Sequence, residues 1–415
     1  MNNTSRSSKF GIKIDFEKSH GSMLYDKITK RKFIDFFGMY ATVALGYNHP
    51  IFSSEEFKNR ITTAAKCKIT NCEILSDEAE RFNRNFTEFV SLKGKYTHFH
   101  YSCTGALAIE AAIKTAFDYK GYSNPQIISF NESFHGINGY GGFLTTRQGA
   151  VGERLNNFPG PFWPQLDNPT ITYKNGIAEK NIPAIEATLN ELEQIIKSDN
   201  SQVAGILVEP IQCTFGDKYF APEFFEGLRR LADTYDIPLI FDEIQIGFGG
   251  TGKIWYFEHL GIEPDILVFG KKVQLAGIMV KEKFSKIFDT AIRLEVTWDA
   301  DVIDMIRSDF VIEAYKKHDI LSNVDKMASL LVEGLKSCKN LKNLRNKGLI
   351  IAFDLDSEEK RDFFEENLFD KGIICNKSMS KTIRFRPNLN INKDEVTSAL
   401  EIIYDVDRAI NIKTW

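Results

Sequence analysis

Two carboxylates and an amine stand at the ends of two apolar runs in the middle of the chain. Ile237-Pro238-Leu239-Ile240-Phe241 leads into Asp242 and Glu243, and Ile266-Leu267-Val268-Phe269 leads into Gly270, Lys271 and Lys272. Short apolar runs bounded by turn residues read as buried parallel strands. In open α/β sheets the functional groups gather at the carboxyl ends of such strands. An acid and a lysine are therefore expected at one edge of one sheet. A lysine at the end of a buried strand loses its proton through desolvation, and its neutral amine can condense with an aldehyde.

Other stretches supply what an aldehyde cofactor would need. Thr97–Ser102 reads as a strand, and Cys103-Thr104-Gly105-Ala106 opens a helix that runs to about Tyr119. Small residues at a helix start let backbone amides approach an anion, and the helix dipole adds to the attraction. An ordinary N-cap by Thr104 gives the same local sequence. Gln126–Phe130 is a strand followed by Asn131-Glu132-Ser133-Phe134-His135-Gly136, where Phe134 can lie flat on a cofactor ring or simply fill the core. Val203–Val208 is a further strand, ending in Glu209. An amine, a carboxylate for a ring nitrogen, a phosphate cup and a ring-stacking aromatic together point to pyridoxal 5′-phosphate (PLP), whose protonated pyridine acts as an electron sink.

The elements that must position these groups alternate strand and helix from 97 to 271, as a doubly wound, largely parallel sheet requires. Upstream, residues 8–50 read as short strands, and 51–93 as helical spacing interrupted around Asn71–Ser76. Downstream, a long helical stretch Asp301–Leu335 precedes strand-like pieces at Gly348–Leu355, Gly372–Asn376 and Thr382–Pro387, and Lys393–Ile410 closes the chain as a helix. The expected division is an N-terminal segment 1–50 that joins the smaller domain, a large cofactor-binding domain 51–298 and an α+β small domain 299–415.

Composition narrows the partners. The chain has 415 residues, a formal net charge of −4 and 43% hydrophobic residues. That is a globular balance with no basic excess, so nucleic acid is not expected as a partner. No apolar run reaches membrane-spanning length, and the start MNNTSRSSKFGIKI carries no apolar signal core. The six cysteines include no CxxC pair and read as reduced thiols of a cytoplasmic protein. The seven histidines are scattered, so no metal site is expected.

Beyond these readings, the chain resembles the class III PLP-dependent aminotransferases of fold type I, within them most of all the lysine 6-aminotransferases. The resemblance runs over nearly the whole chain. It is carried by Ala44-Leu45-Gly-x-Asn-His-Pro50, Gly105-Ala106-Leu107-Ala108, Phe241-Asp-Glu-Ile-Gln245 and above all Phe269-Gly-Lys-Lys-x-Gln274. It implies Lys271 as the lysine that holds the cofactor aldehyde, with Lys272 a bystander, and Asp242 as partner of the pyridine nitrogen. Gln245 would sit near the ring's phenolic oxygen, with Ile244 on one ring face and Phe134 on the other. Thr104, Gly105 and Ala106 would form the phosphate cup. Thr297 would reach the phosphate bound by the other subunit, making a homodimer with shared sites. Arg384, with Arg386 as the competing choice, would grip a substrate carboxylate, and Glu209 would mask Arg384 between substrates. The implied reaction moves a terminal (ω) amino group from lysine or a lysine-like amine to a 2-oxo acid, 2-oxoglutarate foremost. Amino-group migration and decarboxylation on the same scaffold are the alternatives, followed by a non-catalytic homologue. Three departures cluster around the substrate: Ile137 where an arginine is usual, Cys213-Thr214-Phe215-Gly216 for Gly-Glu-Gly-Gly, and Asn388 for a second proline. Arg147 is the nearest cation in sequence that could stand in for the missing arginine.

Overall fold

The computed structural model describes residues 10–70, 73–146, 157–174, 176–198 and 201–413. Its centre is a seven-stranded sheet. Numbered within that sheet, the strands are β1 (His98–Ser102), β2 (Gln126–Phe130), β3 (Gln165–Leu166), β4 (Val203–Val208), β5 (Leu239–Asp242), β6 (Ile266–Phe269) and β7 (Ala276–Val280). Their spatial order is β1-β7-β6-β5-β4-β2-β3, and β7 alone runs against its neighbours.

The apolar runs form central strands because both faces are covered. Leu239 and Phe241 of β5 and Leu267 and Phe269 of β6 point into one hydrophobic cluster, with Phe86, Phe225 and Trp255. Ile240, Ile266 and Val268 point into the other, with Ala112 and Ala116 of the helix Gly105–Lys120. Each large apolar side chain so buried contributes about 1.5–3 kcal/mol. A side-chain period of two buried on both sides leaves no polar face, which is why these strands look uniformly apolar in sequence.

Residues from the two ends of the chain meet in a three-stranded sheet, where Met23–Tyr25 and Lys32–Asp35 are joined by Ile373–Ile374. A four-stranded antiparallel sheet has the order Lys342–Lys347, Ile350–Asp354, Thr382–Phe385, Asn376–Ser378. The helical stretch expected over 301–335 is two helices, Val302–Lys317 and Ile320–Lys336, because His318 is extended and breaks the run. The strand β7 and the helix Glu358–Asp370 were not expected from sequence. The strand Lys342–Lys347, the hairpin of Thr172–Lys174 with Ile177–Glu179 and the short pair Ile211–Gln212 with Lys218–Tyr219 were not expected either. No described helix is long and apolar enough to cross a membrane.

Candidate active site

Asp242 ends β5, level in register with Val268 of β6, and Lys271 follows three residues further on. The acid and the amine thus leave adjacent parallel strands at the same edge. Asp242 is held from two sides: its Oδ1 accepts the Ile244 amide at 3.1 Å, and its Oδ2 lies 3.0 Å from His135 Nδ1. His135 is fully buried, and its Nε2 has no partner among the described residues. Sequence reasoning saw the loop after β2 only for its aromatic. The histidine that fixes the carboxylate was legible only as the residue following Phe134.

Lys271 adopts a left-handed φ of +52° at the start of a tight turn, with Gln274 at +76° closing it. Burial lowers the Lys271 amine to about 8; Cys213, Asp242 and Glu209 oppose this, and Arg384 adds to it. Lys272 is pushed further, to about 7, by burial and by Lys271. Its Nζ donates to the Gln245 carbonyl at 2.7 Å, however, so it ties the turn after β6 to the loop after β5. Proton affinity alone would pick Lys272 as the nucleophile; its hydrogen bond and burial make it a clamp.

Thr104 caps the helix Gly105–Lys120, its Oγ1 accepting the Leu107 amide at 3.4 Å. The Gly105 and Ala106 amides have no acceptor among the described residues and carry the positive end of the dipole. A β-carbon at Gly105 would lie 2.9 Å from Ile244 Cδ1, so glycine is needed for the helix start to approach the Asp242 loop. Phe134 is half-buried, and its amide donates to Glu209 Oε1 at 2.7 Å. Thr297 lies exposed on the segment after β7. Beside it, Trp298 gives its carbonyl to Cys103 Sγ at 3.2 Å.

The arginines divide clearly. Arg386 pairs with Asp217, and its Nη1 donates to the Phe385 carbonyl at 2.9 Å and to that of Ile351 at 3.3 Å. Its Nε reaches Gln245 Oε1 at 3.4 Å. Among the described residues, Arg384 donates through Nη1 to the Cys213 carbonyl alone, and its buried Nε has no partner. The expected Glu209–Arg384 pair is not formed. Glu209 accepts the Phe134 amide instead, and burial beside Asp242 raises its carboxyl well above the usual range. Ile137 is 41% exposed, and Arg147 lies outside the described residues.

One wall of the site is strained. Gly38, Met39, Tyr40 and Ala41 all have positive φ, between +48° and +69°. Asp35 holds this turn: its Oδ1 accepts the Phe37 and Gly38 amides and its Oδ2 accepts the Tyr47 hydroxyl at 2.6 Å. Left-handed non-glycine residues persist where surrounding contacts over-determine them, commonly at ligand sites.

These groups match the chemistry of PLP. Unpaired helix-start amides suit a phosphate, a carboxylate fixed by His135 suits a protonated ring nitrogen, and a desolvated amine suits the aldehyde. The comparisons agree. The family model "Aminotransferase class-III" matches residues 4–406. An L-lysine-epsilon aminotransferase from Mycobacterium tuberculosis is 32% identical over 413 residues, covering 94% of this chain and 91% of the relative. One from Amycolatopsis lactamdurans is 30% identical over 95% of this chain and 91% of the relative. The solved lysine aminotransferase of M. tuberculosis superposes with a TM-score of 0.91 at 30% identity, covering 98% of this chain and 97% of that one. A family match from near one end to the other, on a sheet that delivers acid and amine together, places this chain among the class III aminotransferases, PLP-dependent enzymes of fold type I.

Proposed function

We propose that the enzyme moves the terminal amino group of lysine, or of a lysine-like amine, to a 2-oxo acid, with 2-oxoglutarate as acceptor. The observation that carries this reading is the pairing of a desolvated Lys271 amine with a buried guanidinium, Arg384, whose Nε has no hydrogen-bond partner among the described residues. The lysine-specific part rests on the relatives named above. When bound, PLP supplies the aldehyde and the electron sink that let the C–H bond beside the donor nitrogen ionise.

The chain's own residues do the rest. Gly105 and Ala106 amides with Thr104 would hold the phosphate, and Ile244 and Phe134 would flank the ring. Asp242, oriented by His135, would keep the ring nitrogen protonated, and Gln245 would serve the phenolic oxygen. Lys271 Nζ holds the aldehyde end at rest. As a free amine, Lys271 Nζ would take the proton from the donor's reacting carbon and return one as general acid/base. Arg384 clamps the 2-oxo acid's carboxylate through the edge that Nε leaves open. Two copies of the chain complete each site, with Thr297 of one protomer serving the phosphate of its partner. Exposed Ile292, Val296 and Trp298 on the same segment support an interface there. The five described cysteines form no disulfide, in keeping with a cytoplasmic enzyme.

An absorbance spectrum before and after L-lysine, with no acceptor added, tests the reading. A near-visible band should give way to a near-ultraviolet one, and Lys271→Ala should lose both the band and turnover. A band that ignores lysine would move the donor elsewhere, and substantial transamination by Lys271→Ala would sink the assignment.

A further inference from the structure

The cleft that carries Lys271 has a second cation on its wall. It encloses about 930 Å³ and is lined by Lys271, Thr104 and Gly105, and also by Phe52, Gln274 and Arg307. Arg307 comes from the helix Val302–Lys317. Its guanidinium lies over the Phe52 ring, 4.3 Å from the centroid, and its Nε donates to Gln274 Oε1 at 2.7 Å. Gln274 Nε2 in turn donates to the carbonyls of Thr42 and Lys272, each at 3.1 Å. The guanidinium is therefore fixed, through one side chain, to the turn that holds Lys271. Neither Nη group has an acceptor among the described residues. The acid acting on it is Asp304, one helical turn back, and burial outweighs that acid.

We propose that Arg307 forms a carboxylate subsite for the amino donor, so that the cleft takes a chain with an amine at one end and a carboxylate at the other. The inference rests on the aminotransferase reading and adds the donor's far end to it. An extended lysine spans about 6 Å from Cε to its carboxylate carbon. Val43, Leu45, Phe57 and Leu275 line the same cleft and suit its methylenes. A guanidinium braced on an aromatic face, with its Nη edge open, is preorganised for a planar carboxylate. Ile137 cannot supply that charge. Arg384, held at the Cys213 carbonyl, is left for the 2-oxo acid. The cofactor phosphate already has the Gly105 and Ala106 amides.

Single-turnover half-reactions on the holoenzyme distinguish these roles. The parent, Arg307→Gln and Arg307→Lys would each be mixed with L-lysine, with pentylamine (the same terminal amine without a carboxylate) and, after conversion, with 2-oxoglutarate. The apparent Kd for L-lysine should rise roughly thirty-fold or more in Arg307→Gln. Pentylamine and 2-oxoglutarate should keep their parent values, and Arg307→Lys should recover part of the lysine affinity. Equal weakening of lysine and pentylamine would overturn the subsite in favour of a packing role. Looser cofactor retention with lysine affinity unchanged would assign Arg307 to the phosphate instead. No change in any constant also overturns the proposal. A parent whose spectrum answers to neither amine overturns the lysine-type donor reading and the subsite with it.

Discussion

At the scale of single residues, adjacent lysines at the same strand end have separate fates because one side chain finds a carbonyl and the other does not. Lys272 spends its amine on Gln245, whereas Lys271 is desolvated beside Asp242 and Glu209. This fixes the direction of a pH effect. Burial brings the Lys271 amine down from 10.5 to about 8, so it is protonated and unreactive below that pH and neutral above it. Cofactor uptake by the apoenzyme, followed as growth of the near-visible band, should speed up as pH rises through about 8 and level off beyond it. A rate still climbing towards 10.5 would mean a solvated lysine. Asp242 and Lys271 were legible in sequence because both sit where an apolar run stops. His135 and the engagement of Arg386 by Asp217 were not. They depend on which side chains meet across strands and loops far apart in sequence, and neither periodicity nor turn chemistry encodes that.

At the scale of elements, β4, β5 and β6 are legible in sequence because burial on both faces leaves an unbroken apolar run. β7 has the same composition, Ala-Gly-Ile-Met-Val, but it follows the Lys271 turn within a few residues and pairs antiparallel, so the strand–helix alternation gave no place for it. The turn Gly38–Ala41 was equally hidden, because only Gly38 in it announces a left-handed backbone. A β-carbon at Gly38 would run into the Arg386 carbonyl, while the Arg386 amide donates to the Phe36 carbonyl at 2.7 Å. The turn and the arginine segment therefore brace each other. Gly38→Ala should destabilise the enzyme by about 2 kcal/mol or more, combining a disfavoured φ with a backbone clash. Gly94→Ala is the control: its φ is +83°, but nothing lies within 4 Å of the added carbon, so only the conformational cost of about 1 kcal/mol applies. Thermal midpoints measured side by side decide the matter. Equal losses would show that the Arg386 segment yields freely and does not brace the wall of the site.

At the scale of the whole molecule, the sheet delivers Asp242 and Lys271 to one edge, but one residue of the proposed set lies outside the cleft of Lys271. Thr297 is exposed on the segment after β7, next to Trp298 at 43% exposure. The cleft that contains Lys271, Thr104 and Gly105 does not include it. On the shared-site reading that threonine serves the phosphate of a neighbouring copy, and a two-fold pair makes the exchange mutual. The consequence can be read without a structure of the assembly. Lys271→Ala lacks the nucleophile, and Thr297→Ala should hold the cofactor poorly, so each variant alone is impaired. In a mixed dimer the two lesions fall on the same site. The other site combines the Lys271 of one protomer with the Thr297 of its partner, both intact. Unfolding and refolding an equal mixture should therefore restore roughly a quarter of parental activity, since half the dimers are mixed and each has one sound site. Activity no greater than the mean of the two separate variants would place Thr297 in its own protomer's site or in none. The shared-site arrangement would then fall, while the Lys271 and Asp242 chemistry, which one chain supplies by itself, would stand.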